Sequence, residues 1–131
     1  MLQQTQVKTV IPYFEKFTLK FKSLETLSRC KEKEILKLWE GLGYYRRAKN
    51  LLKSSKEILS TYEGVIPLDY DKLVGINGIG PYTANAILAM GANQKALCVD
   101  ANLERVLARF YGVKVLKGPK LQKEIYRLFE S

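Results

Sequence analysis

The chain has no histidine and only two cysteines, Cys30 and Cys98, which stand far apart without CxxC spacing. Together these absences argue against a zinc site and against a disulfide framework, and they fit a reducing compartment. No uninterrupted apolar run approaches the roughly 20 residues that a membrane span requires, so no membrane partner is expected. Polar glutamines follow Met1 where a secretory signal would place a basic and then an apolar segment. The expected location is cytoplasmic, and nucleoid-associated if the source is bacterial. Also missing are internal repeats, linkers, low-complexity stretches, blocks of like charge and sustained period-two alternation. The last of these argues against a sheet.

What remains is ordinary for a globular protein: 131 residues, 47% apolar and 27% charged. That length buries about two thirds of the unfolded surface around one core, so a single domain over residues 1–131 is expected, without metal or covalent staples. Charge is the one imbalance. Lysine and arginine total 22 against 13 aspartates and glutamates, a net charge of +9. Neutralising a phosphate releases counterions, so a phosphate polymer is the natural partner of such a surface.

Helical spacing dominates. Val7, Val10, Ile11, Phe14, Phe17 and Phe21 mark one amphipathic helix, which Pro12 should kink unless it sits near the true start. Leu24 and Leu27 fit a short helix, and Ile35, Leu36, Leu38 and Trp39 fit another that ends at Gly41 or Gly43. Ala48 to Tyr62 carries a long helix closed by Gly64 and Pro67. Ala84 to Met90 is apolar nearly all round, which predicts a central helix. Leu103, Val106, Leu107 and Phe110 give the next helix, and Leu121, Ile125, Leu128 and Phe129 the last, with Gly118 and Pro119 between them. Gly112 to Leu116 is β-branched enough to be locally extended. The fold class is all-α.

The most informative string is L-V-G-I-N-G-I-G-P-Y-T-A, from Leu73 to Ala84. Gly75, Gly78 and Gly80 fall within six positions, and Pro81 follows at once. Glycine permits positive φ and close backbone approach, and proline suits the first turn of a helix, so the string is a tight hairpin opening a helix. Asp69 is placed to cap a short helix before it. The unit, over about residues 69–92, is helix, hairpin, helix. Glycine amides at a helix start form an anion site, though glycines alone favour a plain turn between two packed helices.

This string resembles the helix-hairpin-helix of base-excision DNA glycosylases. Val99-Asp100-Ala101-Asn102 follows the second helix where that superfamily has an aspartate, and Met1-Leu2-Gln3-Gln4-Thr5-Gln6-Val7 and Trp39-Glu40-Gly41-Leu42-Gly43-Tyr44-Tyr45 look like the adenine DNA glycosylases of the MutY type. The resemblance covers essentially the whole chain. It implies the helical barrel domain of these glycosylases, removing adenine mispaired with 8-oxoguanine or guanine, with mismatch-containing double-stranded DNA as partner and a monomer as the working form. Two alternatives stay open: a thymine or uracil mismatch DNA glycosylase, and a non-catalytic helix-hairpin-helix DNA-binding module.

Breaking an N-glycosidic bond leaves positive charge on the sugar, so the reaction needs a fixed anion beside it and an acid for the leaving base. By spacing alone Asp100 is a helix cap. By resemblance it stabilises the oxocarbenium-like sugar, with Asn102 holding it in position. Tyr82 stands where strand-cutting relatives have a lysine, so the resemblance implies the hydrolytic branch. The acid of the MutY type is a glutamate two positions before the methionine at which this chain starts, and Glu15, Glu25 and Glu40 do not match it. The chain as given is therefore expected to release base slowly or not at all. No cofactor is expected in it, although the resemblance implies an iron-sulfur cluster on four cysteines in the full-length family protein. Gln4, Thr5, Leu42 and Tyr44 match residues that enter the duplex or contact the opposite base, while Gly78 and Gly80 would meet phosphate. Singly, Leu42 and Tyr44 would also suit a core. Arg46, Arg47 and Lys49 could grip phosphate or form a solvated face.

Overall fold

The computed structural model describes residues 1–114 and 118–130. Among them there are helices and no strands. Their contacts fall into two compact units, one of Met1–Pro67 with Gly75–Gly78, the other of Leu68–Val74 with Ile79–Ser131.

The first unit is built around α4, Arg46–Thr61, which packs against α2, Leu24–Ser28, and α3, Glu32–Leu38. α1, Val7–Lys20, packs on α3. Val10, Leu27, Cys30, Ile35, Trp39, Leu42, Ala48 and Leu52 form the buried cluster, and Phe17 meets Trp39 edge to face at 6.5 Å. Such a cluster is what the helical periodicity requires, because each of these helices offers one apolar stripe and must bury it. α1 starts at Val7 as expected. It nevertheless continues unbroken through Pro12. α2 opens with a reciprocal cap: the Thr26 amide donates to Ser23 Oγ and the Ser23 amide to Thr26 Oγ1. In α3 the Lys31 amide donates to Glu34 Oε2 at 2.9 Å. Chain reversal after α4 is made at Glu63 and Gly64, both at positive φ.

In the second unit, Asp69 accepts from the Lys72 amide at 2.9 Å and so caps α5, Tyr70–Gly75. Residues 76–80 form the hairpin, of which Ile76, Asn77 and Gly78 belong to the first unit, and Pro81 opens α6, Pro81–Ala86. Here the structure departs from the expected central helix. After Ala86 the chain widens into a π-helical turn, Ile87–Gly91, closed by a bond from the Ala92 amide to the Ile87 carbonyl. Ala84, Asn85 and Leu88 are buried, but Met90 is exposed, so the apolar run is not covered all round. α7, Ala101–Phe110, packs against α8, Pro119–Glu130. Val106 and Phe110 of α7 face solvent, although their spacing suggested a buried stripe. Val99, Leu121 and Ile125 are the buried cluster of this unit. Gly112 takes a positive φ and ends α7, while Val115 and Leu116 of the expected extended stretch lie outside the described residues. Among the described residues no helix is long and apolar enough to cross a membrane.

Candidate functional site

The hairpin glycines differ in what the backbone asks of them. Gly78 has φ +81, and a Cβ there would stand 2.7 Å from Asn50 Cβ on α4. Only glycine satisfies both conditions. On the same side the Asn77 amide donates to Glu57 Oε2 of α4 at 3.0 Å. Two residues of α4, Asn50 and Glu57, seven positions apart on one face of the helix, thus seat the hairpin. Gly80 is different: its backbone is extended, a Cβ would meet nothing within 4 Å, and it is the N-cap of α6.

Two loops of the first unit carry the residues expected to meet bases. Gln4 at φ 56 and Tyr44 at φ 49 both hold left-handed backbone conformations without being glycine. Such conformations are uncommon for side-chain-bearing residues and persist only where the surroundings over-determine them. Arg47 supplies the surroundings. Its guanidinium donates to the carbonyls of Met1 and Gln3 from one loop and of Gly43 from the other. It also lies 5.5 Å from the ring centroids of Trp39 and Tyr44. The same Gly43 carbonyl accepts from Trp39 Nε1 at 3.1 Å. Burial lowers the Arg47 pKa from its ordinary value, against the opposing influence of Tyr44. Neither a phosphate grip nor a solvated face describes Arg47, because a planar fork that binds several acceptors at once has been spent on joining the loops. Lys49 is paired with Glu32 at 2.8 Å, and Arg46 is exposed.

Within those loops the expected contact residues separate. Tyr44 is 62% exposed, Gln4 is exposed and Thr5 partly so. Leu42 is only 6% exposed and belongs to the Trp39 cluster. Its apolar side chain serves the core, the commoner use of leucine.

In the second unit Asp100 is the N-cap of α7, with Oδ1 accepting from the amides of Asn102 at 3.1 Å and Leu103 at 2.7 Å. Two donors on one oxygen fix the plane of the carboxylate, and the residue is exposed. Asn102 holds Asp100 through its backbone amide, while its side-chain oxygen accepts from Arg105 at 2.8 Å. Tyr82, second in α6, is 46% exposed. Asn85 and Tyr126 form a further, partly buried pairing in this unit that no periodicity in the sequence marks. Asn85 Nδ2 donates to the Tyr126 hydroxyl at 3.2 Å, and that hydroxyl donates to the Leu97 carbonyl at 3.0 Å. An asparagine inside the run A-N-A-I-L was the available signal, since a polar residue on a buried face is paired.

Among the described residues no group of three or more His, Cys, Asp or Glu could hold a metal ion. Cys30 is buried in the core of the first unit, and Cys98 lies two positions before Asp100 in the second. Two cysteines in separate settings do not fit a four-cysteine cluster.

The adenine DNA glycosylase of Buchnera aphidicola subsp. Acyrthosiphon pisum is 43% identical over 132 residues, a match covering 100% of this chain and 38% of that protein. The adenine DNA glycosylase of Arabidopsis thaliana is 39% identical, with 86% of this chain and 21% of the relative covered. The chain thus spans well under half of the curated relatives it matches. Among solved structures, a thermostable thymine-DNA glycosylase superposes with a TM-score of 0.87 at 28% identity, covering 98% of this chain and 60% of that one. A non-covalent endonuclease III–DNA complex shares the fold with a TM-score of 0.82 at 23% identity, covering 97% and 59%. With its hairpin, its capped Asp100 and a family model that matches residues 1–131, the chain belongs to the HhH-GPD superfamily of base excision DNA repair proteins.

Proposed function

We propose that the chain is the helical part of a DNA glycosylase that hydrolyses the N-glycosidic bond of adenine mispaired with 8-oxoguanine or guanine. The observation that carries this reading is Asp100, an exposed carboxylate whose Oδ1 is fixed by two amides of α7. Its other oxygen is then left to face a sugar. As the bond from C1′ to the base breaks, its electron pair leaves with the base, and positive charge spreads over the sugar. A carboxylate already aimed there stabilises that charge without reorganising at the moment of reaction. Water then bonds to C1′ through an oxygen lone pair and gives up a proton to the surrounding solvent, leaving a hydroxyl on the sugar.

The proton for the leaving base is assigned to the glutamate that the resemblance places before Met1 in a full-length protein, and the iron-sulfur cluster likewise to that protein. Neither supplies a step here. Gln4, Thr5 and Tyr44 are proposed to meet the opened duplex, since stacking on a base contributes about 1–3 kcal/mol. Leu42, matched by the resemblance to the same duplex contacts, packs in the Trp39 cluster of the same loop. The amides of Gly78 and Gly80 are proposed to bind phosphate, and Tyr82 keeps the reaction hydrolytic because a phenol forms no Schiff base. The partner is mismatched double-stranded DNA, bound by a monomer. A second reading, thymine excision, is favoured by the thymine-DNA glycosylase among the similar structures.

Single-turnover base release by the full-length protein tests both. Adenine should leave an adenine:8-oxoguanine duplex, and Asp100→Asn should abolish release while DNA binding is kept, because the carboxylate acts on the transition state more than on the bound duplex. Release of thymine from a thymine:guanine duplex, with adenine retained, would establish the second reading.

A further inference from the structure

Residues 95–99 lead to Asp100 without helical structure, and alternate residues of that run are held by α8. Lys95 Nζ stands 5.2 Å from the Phe129 ring centroid. The Leu97 carbonyl accepts the Tyr126 hydroxyl. Val99 is buried in a cluster with Leu121 and Ile125. Asp100 follows buried Val99 in an extended backbone conformation, φ -95 and ψ 176, and side chains of an extended chain alternate between faces, so Asp100 takes the phase opposite to Val99. Asp100 is accordingly exposed. The middle grip is the only one of the three made by a directional bond, and it has its own support from Asn85 Nδ2. Asn85 is itself buried, immediately before the residues where α6 gives way to the π turn Ile87–Gly91. Such turns are rare and are frequently found at functional sites.

We infer that Tyr126 is a positioning residue for Asp100: the chain of bonds from Asn85 through the Tyr126 hydroxyl to the Leu97 carbonyl sets where the exposed carboxylate points. This rests on the reading of Asp100 given above. Packing of Val99 and Leu97 on the cluster with Leu121 and Ile125 limits how far the strap can lift, but apolar contacts are non-directional and leave the orientation of its carbonyls free. The hydroxyl bond removes that freedom three residues before the carboxylate.

Tyr126→Phe in the full-length protein is the test, because the ring keeps its packing while both bonds are lost. The amide protons of Asn102 and Leu103, which bond to Asp100 Oδ1, report the carboxylate's position by NMR. In Tyr126→Phe both should shift toward uncapped values and exchange faster, while amides of α4 keep their positions. Base release in a single turnover should fall about 10- to 100-fold, the scale of a misplacement near 1 Å, with DNA affinity unchanged. Asn85→Ala should shift the same amides less, since the bond to Leu97 survives. Unchanged Asn102 and Leu103 amides in Tyr126→Phe would overturn the inference, as would shifted amides with full base release. If the unaltered protein released no base, the functional reading would fail, while the amides would still decide whether Tyr126 positions Asp100.

Discussion

Gly78 and Asn50 are in contact so close that a Cβ on the glycine would stand 2.7 Å from the Cβ of the asparagine. The Asn50 atom is rooted in α4 and cannot swing aside. Gly78→Ala should therefore cost about 1–3 kcal/mol of stability, from a positive φ that alanine resists as well as from the clash. Gly80→Ala should change stability by less than about 0.5 kcal/mol, as a surface change with open space around it. Urea midpoints of the two variants check this. Equal losses would mean that the seat on α4 is not what requires Gly78.

Arg47 holds three carbonyls from two loops, and lysine has no planar fork with which to do so. Arg47→Lys should destabilise by about 1 kcal/mol, the scale of losing hydrogen bonds to acceptors that are only partly buried or exposed. Duplex affinity should fall with it, because Gln4 and Tyr44 would relax from their left-handed backbones. Circular dichroism in the aromatic region, where Trp39 and Tyr44 report, together with a binding titration, tests the clasp. A lysine variant with unaltered spectrum and affinity would refute it.

Most of the helices were legible because their apolar stripes recur at helical spacing, and Asp69 was legible as a cap because its bond is local. The hairpin was legible from glycine and proline chemistry. What escaped the sequence has a common cause. Arg47 reaches back to Met1 and Gln3, and Tyr126 reaches Leu97 and Asn85, so these pairs are distant in sequence and leave no period in it. The π turn after Ala86 escaped as well, since an all-apolar run does not reveal which side will face solvent. Of the proposed site residues, Asp100 drew its cap reading from spacing and its catalytic reading from the family. The two are compatible in the structure, because the cap uses one carboxylate oxygen.

The Glu34 carboxylate is held below its ordinary pKa of 4.5, first by the Lys31 amide and then by the charge of Lys20 at 3.6 Å. A lowered carboxylate pKa means stability that is present above the ordinary value and lost as pH falls through the lowered one. Glu34→Gln keeps an acceptor for the Lys31 amide but no charge. The melting temperature of the unaltered protein should exceed that of Glu34→Gln near neutral pH, and the gap should close below pH 4.5. A gap that stayed constant with pH would show that the charge contributes nothing.

DNA affinity should depend steeply on salt. If the chain neutralises about three phosphates, log K against log salt should slope at about −3. Backbone amides grip phosphate without reading bases, so a bulky residue at Gly80 should lower affinity for matched and mismatched duplexes alike. A Gly80 variant that weakened only the mismatched complex would place the hairpin on bases and contradict the phosphate assignment.

Tyr82 offers the sharpest chemical test, since exchanging one side chain should change the reaction type. It is the second residue of α6 and is 46% exposed, so a lysine there would have room for its stem. Helix N-termini disfavour positive charge, which raises the share of neutral, nucleophilic amine. In Tyr82→Lys that amine should attack C1′ as the base departs with the bonding electrons, lose a proton, and form an imine as the sugar ring opens. Elimination then cuts the strand, and borohydride reduces the imine to a stable amine that leaves protein cross-linked to DNA. Tyr82→Phe should release base without any cross-link. If Tyr82→Lys kept DNA binding and base release yet gave no trapped complex, Tyr82 would not face the sugar, and its proposed role in keeping the reaction hydrolytic would fall.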